Sequence, residues 1–144
     1  MNNAKHSLTA ESISGDLTLS KAFELVCIHQ VPEQLVVTLE TEEKAEQIDV
    51  VFGFVAGLRV LDESDLNEYW PTCSTLNGWI YEIYSGGWFD QEKKREGFFS
   101  GVARSDLREF FIASDSDCMN ILSISKPKLV KRNKAEPAGA GQPM

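Results

Sequence analysis

Between residues 19 and 130 the apolar positions recur with the short period of β-strands rather than the 3.6-residue period of helices. In KAFELVCIHQ, Phe23, Leu25 and Cys27 share one parity and Ala22, Val26 and Ile28 the other, so both faces are partly apolar, as in a central strand. The turn signal Val31-Pro32-Glu33 leads into QLVVTLET, where Leu35, Val37 and Leu39 alternate with Val36, Thr38 and Glu40; the two runs read as a hairpin. Beyond the charged connection TEEKAEQ, the run IDVVFGFVAGLRVLD reads as one long bent strand. Gly53 and Gly57 argue against a buried helix, where each would cost about 1 kcal/mol, and mark a bulge or a close backbone approach.

DESDLNEYWP interrupts this pattern. Asp62 or Ser64 is a helix N-cap, acids in the first turn suit the macrodipole, and Pro71 is a stop, so a short helix is predicted near residues 63–70. Leu66 then shares a side with Tyr69 or Trp70 and packs that side on the sheet. In GWIYEIYS, Trp79, Tyr81 and Ile83 face one way and Ile80, Glu82 and Tyr84 the other. The following SGG permits a reversal into WFDQE, a second hairpin, and FFSGVA reads as a short strand or loop. DLREFFIAS and CMNILSIS, joined by the turn former DSD, make the clearest hairpin; KPKLVKRN adds an edge strand shielded by lysines. These elements predict an α+β fold: a single domain with a mostly antiparallel curled sheet and one short helix. Residues 1–18 read as a flexible arm, 19–130 as the globular domain and 131–144, rich in Ala, Gly and Pro, as a disordered tail.

Composition narrows the function. With 42% hydrophobic and 25% charged residues, the chain folds. No apolar run reaches the roughly 18 residues of a membrane span, and the first residues lack the apolar core of a secretory signal, so the expectation is a cytoplasmic protein with no membrane contact. Cys27, Cys73 and Cys118 are odd in number and lack a C-x-x-C pair, which suggests reduced thiols rather than a disulfide framework or a zinc ribbon. The net charge of −8 conceals an asymmetry: residues 1–125 carry a net −12, while 126–144, with Lys126, Lys128, Lys131, Arg132 and Lys134 against Glu136, carry +4. An acidic body repels nucleic acid and steers a basic protein toward itself.

The residues of chemistry are sparse. His6 lies in the arm and His29 at a strand end, without a placed carboxylate or nucleophile beside either. No zinc-protease helix, nucleophile elbow, phosphate loop or dinucleotide fingerprint occurs. The acids of DESDLNE fail as a calcium loop, because the sixth and twelfth positions from Asp62 hold Asn67 and Cys73. Cys73 is expected exposed in its loop, yet no histidine or basic residue is near it in sequence. No catalytic residue, metal or cofactor is therefore nominated, and the chain is read as a non-enzyme.

What remains is GWIYEIYSGGWFDQE. Alternation sends its rings to both faces, and Trp88 and Phe89, being adjacent, split between them. Aromatic anchors rimmed by acids suit an interface for a basic protein, so Asp62, Glu63, Asp65 and Glu68 at the helix, with Trp88, Phe89 and Asp90 at the hairpin, are the candidate partner-binding residues. The succession FVAGLRVLDESDLNEYW, GWIYEIYSGGWFDQE and LREFFIASDSDCMNILS, over roughly residues 50–124, resembles small bacterial proteins of the polymorphic-toxin immunity type. The resemblance implies an inhibitor that binds and blocks a toxin domain and has no chemistry of its own. The alternative is a structural or assembly accessory subunit, of phage or secretion-system type, that forms a homodimer through the aromatic face.

Overall fold

A computed structural model describes residues 7–15, 23–41 and 46–133. Among these described residues there are nine strands in two sheets. The five-stranded sheet has the order β1 (Thr9–Ser12), β6 (Ile80–Ser85), β7 (Arg108–Ile112), β8 (Asp117–Ser123), β5 (Val55–Asp62). The four-stranded sheet has the order β2 (Phe23–Val31), β3 (Gln34–Thr41), β4 (Glu46–Phe52), β9 (Lys128–Asn133). Every ladder is antiparallel.

The two sheets stack on the residues that alternation selects. Leu35, Val37 and Leu39 of β3 with Ile48, Val50 and Phe52 of β4 meet Ile80, Phe110, Ile112, Met119 and Ile121 from the other sheet. Phe52 and Phe110 lie 5.6 Å apart, and Phe23 sets its edge against Trp79 at 6.1 Å. The opposite face of the five-stranded sheet is covered as well. There Tyr81, Ile83, Phe111, Ala113 and Cys118 lie under Leu66, Tyr69 and Cys73 from the connection between β5 and β6. Three layers result, with the five-stranded sheet in the middle.

The apolar pattern is thus met by two stacked sheets, neither strongly curled. The run from Ile48 to Asp62 is two strands rather than one bent strand: β4 and β5 belong to different sheets, and the chain crosses at Gly53–Phe54. Gly57 does mark a bulge, opposite β8. The expected helix over 63–70 reduces to a 3₁₀ turn, Glu63–Asp65, capped by Asp62, followed by turns. A segment this short lacks the length to sustain an isolated helix, so the burial of Leu66 and Tyr69 decides its path. Residues after the Gly86–Gly87 turn form a helix, α1 (Trp88–Lys93), in place of a hairpin strand, and FFSGVA contains a second, α2 (Ser100–Ala103). β2, apolar on both faces, sits at a sheet edge and not at its centre.

Thr9–Ser12, inside the stretch read as an arm, pair with β6 as β1, and β9 runs to Asn133, past the boundary placed at residue 130. The tail from 134 onward and residues 1–6 and 16–18 of the arm lie outside the described residues. Among the described residues no helix is long and apolar enough to cross a membrane.

Candidate functional site

The acids expected at the surface are there. Asp62, Glu63, Asp65 and Glu68 are exposed. Asp62 closes β5 opposite Asp117, the first residue of β8. Its carboxylate accepts the Ser64 hydroxyl and the Ser64 N–H, which hold its carboxyl below the usual range. Glu68 and Asp90 line one depression together, but Lys93 and Lys94 line it too. Asp90 accepts the Gly86 N–H at 2.8 Å and pairs with Lys93 at 3.2 Å. The N–H of Gly86 first, then Lys93, keeps the Asp90 carboxyl low.

The two rings proposed as anchors are half-buried and already carry cations of their own chain. Arg59 lies 5.3 Å over Trp88, and Lys93 4.5 Å over Phe89. The aromatic residue that does line an acidic depression is Trp70. With Glu63, Ser64, Asn67, Ser74, Thr75, Ser114 and Asp115 it borders a hollow of about 500 Å³ that no Lys, Arg or His lines. Its indole N–H donates to the Glu63 carbonyl at 2.9 Å, and its ring rests 5.7 Å from Phe111. Sequence reasoning treated Trp70 only as a packing residue and passed over Asp115, because the fold alone brings the β7–β8 turn beside residues 63–75.

A second polar cluster was not legible at all. Glu109, on β7, is 1% exposed and faces α1. Its Oε1 accepts the Phe89 N–H at 2.8 Å; its Oε2 accepts the Tyr69 hydroxyl at 2.7 Å, the Asn120 amide at 2.8 Å and, more weakly, the Trp88 N–H at 3.3 Å. The Tyr69 oxygen in turn accepts Trp88 N–H at 2.8 Å and Asn120 at 2.9 Å, and Asn120 accepts Arg59 Nε at 2.8 Å. Burial pushes the Glu109 carboxyl above its ordinary value, against the opposing pull of these donors. Burial, then the Glu109 charge, also raises Tyr69.

A raised carboxyl beside a tyrosine has the look of acid–base chemistry. Yet both Glu109 oxygens are occupied by donors of the chain, and a Cβ added at Gly87 would come within 2.8 Å of Glu109 Oε1 and of the Tyr69 hydroxyl. The closed cluster fastens α1 to the sheet and leaves no place for a reacting atom.

No protein family, curated protein or solved structure matches the chain. Among the described residues no group of three or more His, Cys, Asp or Glu is placed to hold a metal ion. The cysteines reverse the expectation from their local sequence: the loop residue Cys73 is buried, with its thiol pushed up to about 12 by burial and by Glu109, whereas the strand residue Cys27 is exposed. Cys118 is buried, as its strand suggested, and burial raises it to about 11.

Proposed function

We propose that the protein is a non-catalytic binding protein of the immunity or antitoxin type, which neutralises a basic toxin domain by offering it an acidic surface. One observation carries the reading: two exposed acids, Glu63 and Asp115, line a hollow bordered by Trp70 and free of basic side chains, and the exposed Asp62 and Asp65 flank Glu63 in the chain. A lysine or arginine of the partner would enter this hollow, its charge facing the carboxylates and its stem lying against the indole. The other acids of this end, Glu68 and Asp117, would steer the approach. Trp88, Phe89 and Asp90 fall to a lesser part, since each is engaged within its own chain. Action in the cytoplasm fits an odd set of free thiols with one of them, Cys27, exposed.

The test is capture of partners on the immobilised protein at low and at high salt, with Glu63→Lys plus Asp65→Lys and Trp70→Ala beside the parent. The expected result is a basic protein retained at low salt, released at high salt, and bound about tenfold more weakly by either variant. Equal retention by parent and variants would remove this face from the account.

A further inference from the structure

Three of the four sheet edges carry a device that discourages pairing with another chain. β1 is only four residues long. β5 is bulged opposite β8 and bears Arg59 and Asp62. β9 bears Lys128, Lys131 and Arg132, the last two paired with Glu46 and Asp49 of β4.

β2 is the exception. It is nine residues long, pairs with β3 on one side, is met on its outer edge among the described residues at its start, where the Asp115 N–H donates to the Phe23 carbonyl at 2.9 Å, and is exposed from Val26 to Val31 without a break. On an ordinary half-buried strand every second residue is covered; here the residues opposite the buried Val37 and Leu35 are Ile28, 38% exposed, and the exposed Gln30, and Val26 and Val31 are more open than Ile28. The one irregularity, a bulge between Leu25 and Cys27, lies before most of this stretch. Its composition, apolar on both parities, is that of a strand covered on both faces, and here from Val26 to Val31 neither face is covered.

We propose that β2 pairs with β2 of a second copy of this chain, antiparallel about a two-fold axis near the middle of Val26–Val31, so that two four-stranded sheets become one of eight strands. Charge selects this occupant. The chain carries −8, so two copies repel over most of their surfaces, but no charged residue lies between Glu24 and Glu33. Two identical acidic molecules can meet over Val26–Val31 without burying a carboxylate, Glu24 and Glu33 lying outside that stretch, whereas a basic partner finds no counter-charge within it. A strand paired with itself is self-complementary by symmetry, and the added ladder satisfies the backbone groups of both edges together. The stretch Val26–Val31 shares no residue with the lining of the Trp70 hollow, although Asp115, which borders that hollow, also bonds the start of β2.

The experiment is the mass of the full chain in solution by light scattering over a hundredfold range of concentration, with Ile28→Lys, Val31→Lys and, on the opposite edge, Val130→Lys. The expected result is twice the chain mass for the parent and for Val130→Lys, and the single mass for both β2 variants at the same concentration. Circular dichroism identifies which β2 variants are folded, and either one suffices. An axis near the middle of the stretch sets the two exposed Cys27 about 10 Å apart. A short bis-maleimide should therefore link two parent chains and fail to link the β2 variants. A parent that stays a single chain throughout, or a dimer that survives lysine at Ile28 and Val31, would overturn the proposal.

Discussion

The carboxylate of Glu109 on β7 accepts the N–H of Phe89 at 2.8 Å, so a side chain of the middle sheet starts the helix that follows the Gly86–Gly87 turn. Six residues make too short a helix to persist unaided, and Gly87, its N-cap, offers no side chain to accept the first N–H groups. Glu109 replaces that missing cap from twenty residues away.

Glu109→Ala therefore strands the Phe89 N–H and the buried Tyr69 hydroxyl proton, and leaves the Asn120 amide and the Trp88 N–H with the Tyr69 oxygen as their remaining acceptor. We expect a loss of about 3 kcal/mol, read as a lower urea midpoint. Glu109→Gln keeps the volume but turns an amide NH₂ toward donors, and should cost about half as much.

The same residue gives stability a pH dependence of defined sign. Its folded carboxyl titrates above the ordinary 4.5, so the folded state holds the proton more tightly than the unfolded state. That contribution is complete below about 4.5 and is lost as pH rises through the folded value. Glu109→Gln has no such titration. The stability of the parent minus that of Glu109→Gln should accordingly shrink as pH rises from 4.5, in urea titrations at a series of pH values.

Glycines at the turn and at the sheet crossing should respond differently to alanine. At Gly87 a Cβ would approach Glu109 Oε1 and the Tyr69 hydroxyl to 2.8 Å and Ile83 Cγ2 to 2.9 Å; at Gly86 it would meet the Leu8 backbone at 2.8 Å on a residue with φ +84°. Each substitution should cost about 2 kcal/mol or more. A Cβ at Gly53 meets nothing within 4 Å, so Gly53→Ala should leave the thermal midpoint unchanged or raise it slightly.

Thiol reactivity separates the three cysteines. Cys27 should react with a disulfide exchange reagent at the rate of a free surface thiol in the native protein. Cys73 and Cys118, buried and with thiols raised to about 12 and 11, should react only as the chain unfolds. Two native-state equivalents would contradict this assignment.

The elements written in local alternation were legible in advance. β3 carries its buried apolar residues at every second position, β7 and β8 are short continuous apolar runs buried on both faces, and the turns Pro32–Glu33 and Asp115–Asp117 carry residues suited to reversal. What escaped depends on distant partners. Residues 88–93 have no helical signature of their own, and the carboxylate that caps them lies on β7. Cys73 looked exposed because its neighbours are polar, but the backbone N–H of Cys73 bonds the Tyr69 carbonyl and turns the thiol inward beside Tyr81. The crossing at Gly53 breaks no apolar run, so one run concealed two strands. The candidate acids were readable as an exposed cluster, while the ring beside them, Trp70 rather than Trp88, emerged only from the folding of the 63–75 connection.

Burial on both faces gives the middle sheet a place in the order of opening. β7 and β8 have a strand on each side and a layer above and below, whereas β2 in an isolated chain has an outer edge bonded at its start by Asp115 and little cover beyond Leu25. Amide hydrogens of Phe110–Ile112 and Met119–Ile121 should exchange only when the whole molecule opens, and in the single chain those of Val26–Val31 should exchange first. A molecule arranged in this way frays from its four-stranded side while the sheet beneath the Trp70 hollow stays assembled, so an acidic contact surface there outlasts local melting of the opposite flank.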